Sequence, residues 1–293
     1  MRVGIVILPE HRWWAAEPKW RAAEEYGFDH AWTYDHLGWR SLVDGPWFGA
    51  VPTLTAAALV TERIRLGTFV ASPNFRHPVP FAKELIALDD FSDGRFVLGV
   101  GAGGGGYDAD VLGMPRLTPG QRVDRLAEFL DLLDQLLRVS KVSWSGDYYT
   151  AHEAWNLPDC VQRPRIPFVV AANGSRSVRL AAHYGAGWVT TGQQSETVEQ
   201  WWTGVAELSA RFDEALDESE RQRSTVDRYL SLDASPRYAL SSVDAWQEAV
   251  GRAEELGFTD VVVHWPRESG PYAGSEQVLE RVARDALPGV QGR

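Results

Sequence analysis

A chain of 293 residues that is 44% hydrophobic holds enough apolar mass for a large buried core, in one domain or two. Its 29 basic and 40 acidic residues give a formal charge of −11, which disfavours nucleic acid and anionic lipid and leaves a small molecule as the expected partner. One cysteine, Cys160, excludes an intramolecular disulfide; the first apolar run is too short for a signal peptide, and none approaches the roughly 18 residues that span a bilayer, so a soluble cytoplasmic protein is expected.

Residues 3–8 form a continuous apolar run stopped by Pro9, the pattern of a strand buried on both faces. Residues 18–26 carry apolar side chains at helical spacing and close on Gly27, a C-capping glycine, before 28–34 turns strand-like. Residues 50–60 read as a helix, 64–71 as the third strand, 81–89 as a helix and 96–100 as the fourth strand. Pro119 opens a long amphipathic helix on which Val123, Leu126, Leu130, Leu133 and Leu137 recur at intervals of three and four.

Between 139 and 167 the helical period fails over a stretch longer than ordinary loops, which suggests an insertion near the substrate-side mouth. Alternation resumes with a strand at 168–171, a helix at 175–184, a strand at 187–191 and a polar helix at 196–218. A charged turn at 221–225 leads to a strand at 229–233, a helix at 244–256 capped by Gly257, a strand at 260–265 and a final helix at 275–286. Eight strands alternating with eight helices, without linker or repeat, is the count of a (β/α)8 TIM barrel. We expect one such domain over 1–293, with 139–167 inserted after the fourth βα unit.

Barrels of this kind hold their sites at the carboxyl ends of the strands. The fourth strand runs into Gly99, Gly101 and Gly104, a match to G-x-G-x-x-G. A dinucleotide fold places that motif after its first strand, with an acid about 20 residues on. Here three strands precede it and Asp124 and Glu128 fall inside a helix, so that reading fails. What remains is a turn of Gly103, Gly104, Gly105 and Gly106, where backbone N–H groups approach a flat ring or a phosphate; the run equally suits a mobile loop.

The second strand ends at Asp35 and His36, an acceptor beside a group that titrates near neutrality, suited to proton movement or to a structural pair. The third ends with Ser72, Asn74 and Arg76 among two shape-fixing prolines. The fifth ends Ala171, Ala172, Asn173, Gly174, Ser175, Arg176, either an anion site at a helix start or ordinary capping by Ser175. His152 and His183 lack partners at metal-ligand spacing, and no activated nucleophile stands out. Trp13, Trp14, Trp39 and Trp47 cluster before residue 50 in loop-like sequence, lining a pocket or plugging the end of the fold. The set suits a planar, phosphorylated redox cofactor.

Four segments together resemble the bacterial luciferase-like oxidoreductases, barrels that use FMN or the deazaflavin coenzyme F420. They are Tyr34-Asp35-His36-Leu37, Ser72-Pro73-Asn74-Phe75-Arg76-His77-Pro78, Asp93-Gly94-Arg95-Phe96-Val97-Leu98-Gly99-Val100-Gly101-Ala102-Gly103 and Ala171-Ala172-Asn173-Gly174. The resemblance implies that Asp35, His36, Gly101, Ala102, Gly103 and Gly104 border the cofactor ring. It implies a non-prolyl cis peptide between Phe69 and Val70 behind that ring, with Ser72 in the same segment. It also implies that Ala171, Ala172, Asn173 and Gly174 follow the tail toward the phosphate. Ser175 and Arg176 join them from the anion argument alone.

The implied activity is hydride transfer between F420 and an organic substrate, which the tryptophans suggest is bulky and apolar or aromatic. The F420-using branches carry a glutamate where this chain has Gly104, which leaves His36 as the candidate proton donor. Trp13, Trp39, Trp47 and His264 are expected at the substrate, and a homodimer is expected from the family. Two alternatives stay open: an FMN-dependent monooxygenase using reduced flavin from a partner reductase, and a non-catalytic flavin-binding relative; the partner expected for the cofactor is a flavin or F420 reductase.

Overall fold

The computed structural model describes residues 1–104 and 106–291, so Gly105 of the glycine turn lies outside the described residues. Eight strands close into a parallel barrel: β1 (Arg2–Val6), β2 (His30–Thr33), β3 (Arg65–Thr68), β4 (Phe96–Gly101), β7 (Phe168–Ala171), β8 (Gly187–Thr190), β9 (Asp227–Ser231) and β10 (Asp260–His264). The order around the barrel is β1-β10-β9-β8-β7-β4-β3-β2. Most of their residues are buried, which is why they read as apolar runs rather than alternating ones. The two remaining strands, β5 (Lys141–Ser145) and β6 (Thr150–Trp155), make an antiparallel hairpin inside the 139–167 segment. Short partly exposed strands have a period of two, so no helical period could appear there.

The helices are α1 (Trp13–Glu25), α2 (Ala50–Val60), α3 (Pro78–Phe91), α4 (Tyr107–Val111), α5 (Pro119–Leu136), α6 (Ser175–Tyr184), α7 (Val198–Glu218), α8 (Val243–Glu255), α9 (Glu276–Arg281) and α10 (Leu287–Gln291). The first starts five residues before the expected 18, so Trp13 and Trp14 are helical rather than loop residues, and Pro18 sits inside. An interior proline forfeits one helical hydrogen bond; this helix accepts that loss while carrying Ala16, Trp20 and Ala23 into the core. The seventh begins at Val198 because Thr197 and Gln200 close a reciprocal capping box. The last expected helix continues past 286 through a π-helical turn, Val282–Ala286, into α10.

The chain packs as two compact units. One comprises Met1–Leu8, Pro18–Trp32 and Val169–Arg293. Its core is built on Trp20, Trp32, Trp188, Trp201, Trp246 and Phe212, each under 2% exposed, with Trp188 stacked on Phe212 at 4.5 Å. Most of its tryptophans therefore fill the core. At the amino ends of its strands Asp260 accepts from Arg2 Nε at 2.8 Å and lies 3.0 Å from His30 Nε2. Trp32 Nε1 donates to His30 Nδ1 at 2.6 Å, so the neutral imidazole carries its hydrogen on Nε2, toward Asp260.

The second unit comprises Pro9–Glu17 and Thr33–Phe168. Phe81, Phe96 and Phe129 anchor its core beneath α3 and α5. No helix among the described residues is long and apolar enough to cross a membrane.

Candidate functional site

In the second unit the ends of three strands meet through their backbones. Phe69 N donates to the Thr33 carbonyl at 2.8 Å, Ala71 N to Gly99 O at 2.8 Å, and Gly101 N to Ala71 O at 2.9 Å. A side chain at Gly99 would begin 2.0 Å from the Thr68 carbonyl oxygen, so only glycine lets these strands approach. Phe69 and Val70 are joined by a non-prolyl cis peptide, where the resemblance places one.

Asp35 and His36 leave β2 on different errands. Asp35 is 1% exposed and both its oxygens are taken by Arg76, from Nε at 3.0 Å and Nη2 at 2.7 Å. Burial alone would lower the Arg76 guanidinium, and Asp35 overrides it and raises it above its usual value. Arg76 also reaches Glu84 at 2.9 Å and lies over the rings of Phe75 and Phe81. Asp35 thus locks the segment after β3 to the segment after β2, and each of its oxygens keeps a further lone pair.

His36 finds its carboxylate elsewhere. Its Nδ1 is 2.6 Å from Asp108 Oδ2, and Asp108 Oδ1 accepts from Leu37 N at 2.7 Å. Asp108 is buried and comes from α4, while His36 remains a quarter exposed. Trp47 Nε1 donates to the His36 carbonyl at 2.8 Å, and Tyr34 packs edge-on against His36 and Trp39, the latter at 5.1 Å between centroids. Trp39 and Trp47 thus gather with Tyr34 and His36; Trp13 lies half-buried at the start of α1. The sequence reading missed Asp108, because a five-residue helix behind a glycine run shows no period.

The glycine turn is tied down from one side. Gly103 has a left-handed φ of 72°, and a side chain there would begin 2.5 Å from Asn74 Nδ2. Asn74 is buried: its amide donates to Gly104 O at 3.1 Å, its oxygen accepts from Arg125 Nη2 at 2.5 Å, and its backbone N–H reaches Ser72 Oγ at 3.4 Å. Gly104 has no atom within 4 Å of where a side chain would begin. Ala102 is half-buried beside it.

In the first unit, Asn173 is held at the end of β7. Its Oδ1 accepts from Thr190 Oγ1 at 2.7 Å and its Nδ2 donates to Gly192 O at 2.8 Å. Ala171 is half-buried and Ala172 buried. Gly174 is the N-cap of α6, with no side-chain cap hydrogen bond, and Ser175 is the first helical residue. Ser175 therefore does not cap: inside the helix its hydroxyl cannot fold back onto the first N–H groups. Ser175 and Arg176 are exposed.

His264 ends β10 and is only 1% exposed. Its backbone N–H and its Nδ1 both meet Asp233 Oδ2, at 2.6 and 3.1 Å, and Tyr272 stacks on its ring at 3.7 Å. Burial and Asp233 push the neighbouring Tyr238 phenol well above its usual value; that hydroxyl donates to the His264 carbonyl. Among the described residues no group of three or more His, Cys, Asp or Glu is placed to hold a metal ion.

The profile of the family described as luciferase-like monooxygenase matches residues 1–284. The chain belongs to the luciferase-like family. An F420-dependent glucose-6-phosphate dehydrogenase of Intrasporangium calvum is 30% identical over 317 residues, covering 92% of each protein. Two solved luciferase-like barrels share the fold: the F420-dependent tetrahydromethanopterin reductase of Methanopyrus kandleri (TM-score 0.78, 19% identity, 99% of each chain) and a monooxygenase of Streptomyces bottropensis (0.78, 20%, 99% of each).

Proposed function

We propose that this protein is an oxidoreductase transferring a hydride between coenzyme F420 and an organic substrate, with His36 as the group that exchanges the accompanying proton. The observation that carries the reading is the His36–Asp108 pair. An ionised carboxylate only accepts hydrogen bonds, so Nδ1 carries the hydrogen and Nε2 is the atom that takes up or delivers a proton. Relatives named as F420-dependent, alignable over nine-tenths of the chain, support the cofactor.

The residues present fit such a group. The open face of Gly104 leaves room for a flat ring. Asn74 fixes the turn from behind. Taken by itself, the other unit has an α6 N-terminus at Gly174, Ser175 and Arg176 with no side-chain cap, and N–H groups of that kind suit an anion. When bound, a deazaflavin supplies the hydride chemistry. Tyr34, Trp39 and Trp47 beside His36, with exposed Leu37, Val43 and Tyr107 nearby in sequence or packing, suit a bulky apolar substrate face.

Titration of the purified protein with F420 and with FMN, read by absorbance and fluorescence, tests this. Tight F420 binding with substrate turnover in the absence of oxygen is expected. Binding of FMN alone, with oxygen-dependent turnover once a reductase supplies reduced flavin, replaces the reading with monooxygenation. Binding without turnover in either regime leaves a non-catalytic flavin carrier. The homodimer expected of the family is checked by light scattering.

A further inference from the structure

A cavity of about 260 Å³ opens beside the glycine turn, lined by Asn74, Gly104, Asp110, Arg116, Arg122 and Arg125 among others. Its charges do not balance. Asp110 is engaged by Arg116 through two hydrogen bonds, at 3.1 and 3.0 Å. Among the described residues neither Arg122 nor Arg125 has a carboxylate at ion-pairing distance; Arg122 Nη1 donates to the Leu117 carbonyl and Arg125 Nη2 to Asn74. Arg125 is 6% exposed and its Nε has no partner.

A buried cation without a counter-charge is costly, and a guanidinium N–H left unpaired adds to that cost. Burial holds the Arg125 guanidinium below its usual value, and Arg122, one helical turn away, pushes the same way. The helix itself does not need the anion, because Thr118 and Gln121 already cap its first turn reciprocally. The unbalanced charge belongs to the two side chains. Guanidinium pairs of this kind match the oxygens of a phosphate, and the cavity exceeds a phosphate group, leaving room for the rest of an ester.

We propose that Arg122 and Arg125 form a binding site for the phosphate of a phosphate ester, and that Arg125 couples its occupancy to the glycine turn through Asn74 and the Gly104 carbonyl. The site does not depend on which cofactor the protein uses. The ester is part of the cofactor or part of the substrate; the test separates these sources.

The full chain is titrated with inorganic phosphate, reading the folding midpoint and binding heat, for wild type, Arg122→Gln and Arg125→Lys. Phosphate is expected to stabilise the wild type, with affinity falling tenfold or more in Arg122→Gln and less in Arg125→Lys. Equal binding in wild type and Arg122→Gln, or none in wild type, overturns the proposal. In a second arm F420 is compared with its phosphate-free deazaflavin chromophore, and glucose 6-phosphate with glucose. A preference for F420 that Arg122→Gln abolishes assigns the phosphate to the cofactor; a preference for glucose 6-phosphate that it abolishes assigns it to the substrate. Phosphate binding that neither ester reproduces marks an adventitious ion only and ends the proposal. Failure of F420 to bind, with phosphate binding intact, counts against the deazaflavin reading alone.

Discussion

Asp108 holds His36 by Nδ1 at 2.6 Å across 72 residues of sequence, while its second oxygen is fixed by the Leu37 N–H. A carboxylate held at both ends orients the ring it serves. Replacing Asp108 by Asn removes the charge and frees the ring to change tautomer. We expect kcat to fall by about 10²-fold, within the 10²–10⁴ that a positioned proton-transfer group contributes, while the cofactor Kd barely moves. Asp108→Glu should recover part of the loss. Wild-type turnover in Asp108→Asn would remove Asp108 from the mechanism.

His36→Ala should lower kcat by about 10²–10⁴-fold with cofactor affinity largely retained. Because the two residues act as a unit, the double variant with Asp108→Asn should be no slower than His36→Ala alone. Additive losses in steady-state kinetics would show that they serve separate steps.

Asp35→Ala acts on stability first. It leaves the Arg76 guanidinium, 15% exposed, without its principal partner. Removing one member of a buried ion pair costs about 3–5 kcal/mol, measurable as a shift in the urea midpoint. An unchanged midpoint with weakened cofactor binding would return Asp35 to a direct role at the ring.

Burial alone would raise Asp260, but the contacts with His30 and Arg2 override it and hold the carboxyl below its usual range. A carboxylate lowered on folding contributes stability above its unfolded pKa of about 3.9, and loses it as pH falls through the folded value. Calorimetry should therefore find Asp260→Asn less stable than wild type at pH 7, with the gap narrowing below about pH 4. A gap that holds constant with pH would mean that packing, not charge, is responsible.

Cys160 is 1% exposed and burial pushes its thiol above the ordinary range. Native protein should react with an alkylating reagent only slowly, and labelling should rise with the unfolded fraction in denaturant. Fast labelling of the folded protein would contradict this burial.

The barrel was legible because its strands are short runs buried on both faces and its helices carry clean stripes; the bounds of α2, α5, α6 and β7 lie close to what spacing alone gives. Proline and local packing account for the early start of α1, where Pro18 reads as a boundary but the core needs Trp20 on a continuous helix. At the site, His36 and the glycine turn stood out as residue types at strand ends. Asp108 did not, because pairing across 72 residues leaves no local pattern. Arg125 could have been found: it shares a buried line with Phe129, Leu132 and Leu136, where an arginine has no business unless something pairs with it.

The pairing of β1 with β10 sets an order of events for the nascent chain. Arg2 and Asp260 are 258 residues apart. At about 5–20 residues per second on the ribosome, Arg2 waits roughly 13–50 s for its partner to be made. The unit holding His36 and Asp108 is complete once Phe168 has emerged. The other contains segments from both ends of the chain, so the first strand must stay unpaired on that side, exposed to chaperones and to other growing chains, until the last is released.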